Sequence, residues 1–172
     1  MSGRPDAGEY APFYAGYVAR VPEEGVLEVL AEQPAVLRRI AAGVPPERED
    51  FRYAPDKWSL RQLFSHLIDA ERVFGYRALC IAHGDTTPLP GFDEKAYVAA
   101  ADLGSTPLAA LAEELALLRE GNLALFRRLP EEAWTRTGKA NGQDVSVRAL
   151  AWILAGHLRH HLAVLAERYG AS

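Results

Sequence analysis

Apolar residues recur three and four positions apart along four stretches of this chain, the repeat of a helix with one face turned to a core. The first stretch runs from about Glu23 to Ala42, with Val26, Leu27, Leu30, Leu37 and Ile40 on a partly broken stripe. Pro34 lies inside it and predicts either a kink or the start of a second segment. Gly43 and the Pro45-Pro46 pair end it. The second stretch runs from Ser59 to about Ala82, and Leu60, Leu63, Leu67, Phe74 and Ile81 supply its core face. Ser59 and Gln62 have the spacing of a capping box, and Gly84 closes the helix. The third runs from Pro107 to about Leu129 on Leu108, Leu111, Leu115, Leu118, Leu125 and Leu129. Thr106 is the expected cap, proline suits the first helical position, Gly121 is a weak point and Pro130 stops the helix. The fourth runs from about Val147 to Tyr169, with Ser146 as cap and Gly170 at its end.

The segments between these helices, 44–58, 84–105 and 130–145, are rich in Pro, Gly and Asp, and none alternates as a strand. Residues 1–22 form an irregular arm, expected to pack on the body through Tyr10, Phe13, Tyr14 and Tyr17. The pattern predicts an all-α fold: a four-helix bundle over 23–172, with long connecting loops that cross over the bundle or cover a site, preceded by the arm.

Composition narrows the function classes. A chain of 172 residues suits one domain with its own core. The net charge of −4, with Lys and Arg scattered and no basic stripe, argues against a nucleic-acid partner. No apolar run approaches the roughly 20 residues of a membrane span, so no membrane partner is expected. The N-terminus lacks the apolar region of a signal peptide, and the expectation is a soluble cytoplasmic protein. Cys80 is the single cysteine, which excludes an internal disulfide and a cysteine-rich zinc site.

Candidate chemistry is concentrated in GHLRHHLAVL, residues 156–165, which carries three of the chain's five histidines. At about 100° per residue, His157 and His161 fall within about 40° of each other, on the stripe of Leu150, Ile153, Leu154 and Val164. His160 projects about 100° from the middle of that stripe and is peripheral. His66, on the second helix near Leu63, Leu67 and Ala70, also looks toward the core, whereas His83 stands at a helix end beside Gly84 and is expected to be exposed. Two imidazoles four residues apart on one face can share a cation if a third ligand arrives from elsewhere. Taken singly, a histidine on an apolar face is usually a core residue with a hydrogen-bond partner; three of them turned inward on two helices favour a shared metal, and spacing alone leaves both readings open.

Four segments carry a family resemblance. WSLRQLFSHLIDAERVFGYRAL (58–79) resembles the second helix of DinB/YfiT-like proteins, and VSVRALAWILAGHLRHHLAVL (145–165) resembles their last. LPGFDEKAYVAA (89–100) and RRLPEEAW (127–134) are similar to one branch of the same superfamily. The resemblance spans roughly 25–168. It implies a four-helix bundle, a divalent metal on His66, His157 and His161, and a homodimer. It also implies, for some members, thiol-dependent transfer or isomerisation with a low-molecular-weight thiol.

A cation on three neutral imidazoles keeps a position open to water or substrate. Such ligation suits Zn, Ni or Fe, and also Co or Cu. With no second cysteine, the nucleophile must come from outside the chain. The leading expectation is a metal-dependent enzyme that transfers a thiol to a small-molecule substrate. The alternatives are a metal-dependent hydrolase and a non-catalytic, stress-associated metal-binding protein. Asp69 and Glu71 are expected at the surface or behind the ligands. Arg77, about 20° from His66 in projection and about 16 Å along the axis, either holds a substrate anion or pairs with a carboxylate at the helix end. Trp58 and Trp152 are expected to pack, and the loop GKANGQD (138–144) to border the pocket.

Overall fold

The computed structural model describes residues 3–22 and 25–171. The arm makes two short 3-10 turns and a helical turn, α1 (Ala15–Val18). Then follow α2 (Val26–Ala42), α3 (Leu60–Ala82), α4 (Glu94–Ala100), α5 (Leu108–Arg127) and α6 (Glu131–Trp134). A hairpin of β1 (Thr137–Ala140) and β2 (Gln143–Ser146) leads directly into α7 (Val147–Val164), whose last turn widens over Leu165–Tyr169.

Helices α2, α3, α5 and α7 form the bundle. Helix α2 packs on α5 and α7, and α3 packs on the same two. The successive helices α2 and α3 therefore stand on a diagonal. The chain between them crosses the end of the bundle instead of turning back, which is why residues 43–59 make a longer connection than a helical hairpin needs. Two apolar clusters fill the interior. Phe74, Phe126, Leu150 and Trp152 belong to one, and Leu37, Phe64, Leu115 and Leu158 to the other. No helix of the described residues is long and apolar enough to cross a membrane.

Local chemistry explains the boundaries. The Ser59 hydroxyl accepts from the Gln62 amide at 3.3 Å while the Gln62 side chain accepts from the Ser59 amide at 3.1 Å, the reciprocal box that the sequence predicts. The Ser146 hydroxyl accepts from the Ala149 amide at 3.0 Å and starts α7. Gly84 and Gly170 take positive φ at the expected helix ends. Helix α2 runs unbroken through Pro34, so the two-segment reading is corrected: Pro34 is buried, and packing against α5 and α7 offsets the lost hydrogen bond. Its expected start at Glu23 lies outside the described residues. Thr106 does not cap α5; Pro107 is itself the extended residue before it.

Two elements depart from the sequence reading. The segment 130–145 contains the hairpin, with Asn141 and Gly142 both at positive φ. That is the Asn-Gly turn whose twist matches paired strands. Leu89 bridges to the hairpin, its amide donating to Lys139 at 2.9 Å and its carbonyl accepting from Asn141 at 3.0 Å. Within 84–105, Asp93 caps α4 by accepting from the Lys95 and Ala96 amides, each at 3.0 Å.

The arm lies on α7. Gly156 permits this approach, since a Cβ there would collide with the Tyr17 carbonyl. Glu9 clips it down by accepting from the Ser146 hydroxyl at 2.6 Å and from Arg148 Nε at 2.7 Å. Tyr10, Tyr14 and Tyr17 pack against the core as expected; Phe13 does not and is 76% exposed.

Candidate metal centre

Helix α3 and helix α7 run side by side, and each turns histidine into their interface. His66 is 3% exposed, His157 7% and His161 9%. The Nε2 atoms of His66 and His157 are 3.1 Å apart, and those of His161 and His157 are also 3.1 Å apart. The two helices thus bring together the residues singled out from the spacing. His160 is half-buried beside Tyr17, with ring centroids 5.6 Å apart, and takes no part in the convergence. His83 is exposed at the end of α3.

Hydrogen bonding alone satisfies this cluster poorly. An imidazole nitrogen has one in-plane lone pair, yet His157 Nε2 faces two neighbours at the same distance. The Nδ1 atoms of His66 and His161 are buried without a hydrogen-bond partner. Three nitrogens at about 2.0–2.1 Å from one tetrahedral cation would be separated by about 3.3 Å, close to the spacing found here. The three side chains, each offering one ligand atom within 4.8 Å of the others, therefore fit a divalent metal.

The electrostatics suit ligation. Burial, then the field of His160, pushes the His66 imidazole down to about 4. Burial followed by His66 and His160 pushes His161 to about 3. His157 lies well below its ordinary value through burial, His161, His66, Arg119 and His160. All three are neutral near pH 7, the form whose lone pair binds metal.

A second polar cluster lies next to the first. Glu71 and Arg119, each 2% exposed, form a two-pronged ion pair at 3.0 and 2.6 Å. Arg119 also donates to Gln33 and, at 3.2 Å, to the Leu154 carbonyl. Gln33 donates to the Ala155 carbonyl at 2.9 Å, and Asn122 to Glu71 at 2.7 Å. Of the two places expected for Glu71, the surface is corrected: it is paired in the core beside the histidine cluster, because it lies four residues after Leu67 and three before Phe74 on the apolar stripe. Asp69 is half-buried.

His66 and His157 reach the wall of a cavity of about 930 Å³. Its other walls include Tyr14, Tyr17, Phe74 and Phe92, with Arg77 on α3 and Asn141 from the hairpin turn. The loop 138–144 borders the pocket, as its position before α7 suggested. The Tyr17 ring meets His157 edge-on at 5.2 Å, a neighbour of the site that the sequence reading assigned only to packing. Burial, then Glu94, raises the Tyr17 phenol, so it remains a hydrogen-bond donor. Trp58 lies against His66 at 4.9 Å, and Trp152 is fully buried.

A four-helix bundle with a convergent three-histidine cluster on two of its helices defines the class. Residues 30–165 match the family model of the DinB superfamily, and the chain belongs to that superfamily. It is 25% identical over 165 residues to YfiT of Bacillus subtilis (strain 168), covering 93% of this chain and 90% of YfiT. The solved structure of YfiT, described as a probable metal-dependent hydrolase with an unusual four-helix bundle topology, superposes with a TM-score of 0.75 at 23% identity. That match covers 96% of this chain and 97% of the other. The DinB-like protein YjoA of Bacillus subtilis gives a TM-score of 0.58 at 21% identity, over 86% of this chain and 92% of that one.

Proposed function

We propose that the protein is a metal-dependent hydrolase of small molecules, with His66, His157 and His161 holding one divalent cation. The observation that carries this reading is the convergence of three neutral imidazoles, two of which, His66 and His157, reach the wall of a cavity of about 930 Å³, a size typical of small-molecule sites. The description of YfiT as a probable metal-dependent hydrolase supports the choice of reaction. Imidazole ligation suits Zn, Ni or Fe. When bound, such a cation polarises a carbonyl and brings the pKa of an attached water toward neutrality.

The chain's own residues do the rest. The neutral imidazoles leave the full charge of the cation uncompensated. Phe74 and Phe92 supply apolar walls that exclude water from a bound substrate. Tyr17, held protonated beside His157, is placed to donate a hydrogen bond into the cavity.

Thiol transfer is the second reading, and one observation favours it. The cluster contains no carboxylate to serve as general base, and Cys80 is not part of the cavity wall. A low-molecular-weight thiol would bring its own nucleophile, and a cation held by His66, His157 and His161 would favour its thiolate form, so neither would be needed. The test is turnover of an ester and amide panel by zinc- or nickel-loaded protein, with and without added small thiols. Metal-dependent release without thiol is expected. Release only in the presence of thiol would replace hydrolysis by transfer. No turnover in either arm at full metal occupancy would overturn the enzymatic reading.

A further inference from the structure

An arginine with no carboxylate partner shares the cavity with the histidines. Arg77 is only 4% exposed. Its Nη2 donates to the Pro90 carbonyl at 2.7 Å, and its guanidinium lies 5.5 Å from the centroid of the Phe74 ring. Those two contacts engage one of a guanidinium's five N–H donors and one face. No carboxylate among the described residues pairs with it. Asp93 and Glu94 line the same cavity, but Asp93 is occupied by the α4 amides and neither reaches Arg77. A buried cation without a counter-charge costs several kcal/mol. Arg119, equally buried in the same bundle, shows how the fold neutralises such a charge when it serves structure alone.

We infer that Arg77 is the anchor for a carboxylate group of the substrate. Its fork suits a carboxylate bidentately. Asp93, Glu94 and Lys95 line the same wall, and among the described residues Arg77 is the only buried cation on it. Arg77 stands eleven positions after His66 on α3, about 16 Å along the axis, and both line the one cavity. Phe74 and Phe92 lie along the same cavity wall. The substrate class that fits is an extended monocarboxylate: an anionic end at Arg77, an apolar middle, and the reacting group at the histidines. The position of the reacting group rests on the metal reading above; the carboxylate end does not.

The two ends are tested separately. Octanoate is titrated by calorimetry into metal-free wild type, Arg77→Gln and Arg77→Lys. Binding to wild type is expected, weakened about tenfold or more in Arg77→Gln, the loss of a charged hydrogen bond. Arg77→Lys, which keeps the charge without the fork, falls between them. Equal affinity in wild type and Arg77→Gln, or no binding to wild type, overturns the assignment. In zinc-loaded protein, octanohydroxamate reads the histidine end. It is expected to bind wild type and Arg77→Gln alike and to be lost in His66→Ala. Suberic acid monohydroxamate, which adds a terminal carboxylate, should gain affinity over octanohydroxamate in wild type and not in Arg77→Gln. Hydroxamate failure with octanoate intact sinks the metal reading and leaves Arg77 standing. Octanoate failure with hydroxamate intact does the reverse.

Discussion

His66 and Glu71 stand five residues apart on α3, yet they belong to buried polar clusters of opposite kind. Around Glu71 the charges cancel. Its carboxylate meets the Arg119 fork and the Asn122 amide, and Arg119 turns its remaining donors to Gln33 and the Leu154 carbonyl. Around His66 nothing cancels. Three neutral rings turn their Nε2 atoms toward one another, two Nδ1 atoms have no partner, and the group reaches a cavity. A polar cluster that satisfies itself holds the bundle together. One that does not is shaped for something the chain does not contain.

The largest effect is expected from breaking the satisfied cluster. Arg119→Ala leaves Glu71 buried and unpaired, and should cost about 3–5 kcal/mol in urea unfolding. Replacing both partners by leucine should recover most of that loss, because no charge is then stranded. If Arg119→Ala unfolds at the wild-type midpoint, the network is not the structural staple described here.

The same contrast explains what could be read beforehand. The bundle helices were legible because caps and apolar period agree: Ser59 with Gln62, Ser146 before α7, and leucines at helical spacing. The histidine convergence was legible because 3.6-residue geometry fixes which side of a helix a residue takes. Glu71, Arg119 and Gln33 also sit on apolar stripes, and a charge on such a stripe is a signal of a buried pair. For Glu71 that signal lies in its spacing to Leu67 and Phe74, four residues before and three after it, and not in its relation to His66. The hairpin was signalled by Asn141-Gly142 in a segment too short to show alternation. Helix α4 buries only Val98, so it has no periodicity to detect, and its place is set by the Asp93 cap and contact with α3. Which aromatic side chains of the arm reach the core, and which like Phe13 do not, depends on how the arm lies over Gly156.

The histidine cluster should respond to metal as the ion network does not. A divalent cation at a hundred times its Kd would add about 2.7 kcal/mol of stability. His66→Ala and His161→Ala should each lose nearly all bound metal by elemental analysis, and with it that increment in a thermal melt. His160→Ala should retain most of both. Equal metal loss from His160→Ala and His161→Ala would mean that the Nε2 convergence is not the ligand set. Arg119→Ala, if it remains folded, should still bind metal, which separates the two clusters in one preparation.

A smaller effect, and the sharpest test of which cluster is uncompensated, is the acid response of the metal-free protein. Burial holds His66 at about 4 and His161 at about 3 when folded, below the ordinary value near 6.5 that each regains on unfolding. Below pH 6.5 the unfolded chain therefore binds protons that the folded chain refuses. Stability is complete above that pH and falls as the solution is acidified toward the folded values. Each such histidine contributes a slope of up to about 1.4 kcal/mol per pH unit, so a loss of about 1.2 kcal/mol for each, about 2.5 kcal/mol for His66 and His161 together, is expected between pH 7 and pH 5.5 in urea titrations. His66→Phe should flatten that slope, since it removes one proton taken up on unfolding. A wild-type profile level from pH 7 to pH 5.5 would show that the imidazoles already share protons when folded, and that the cluster is closer in kind to the ion network than its geometry indicates.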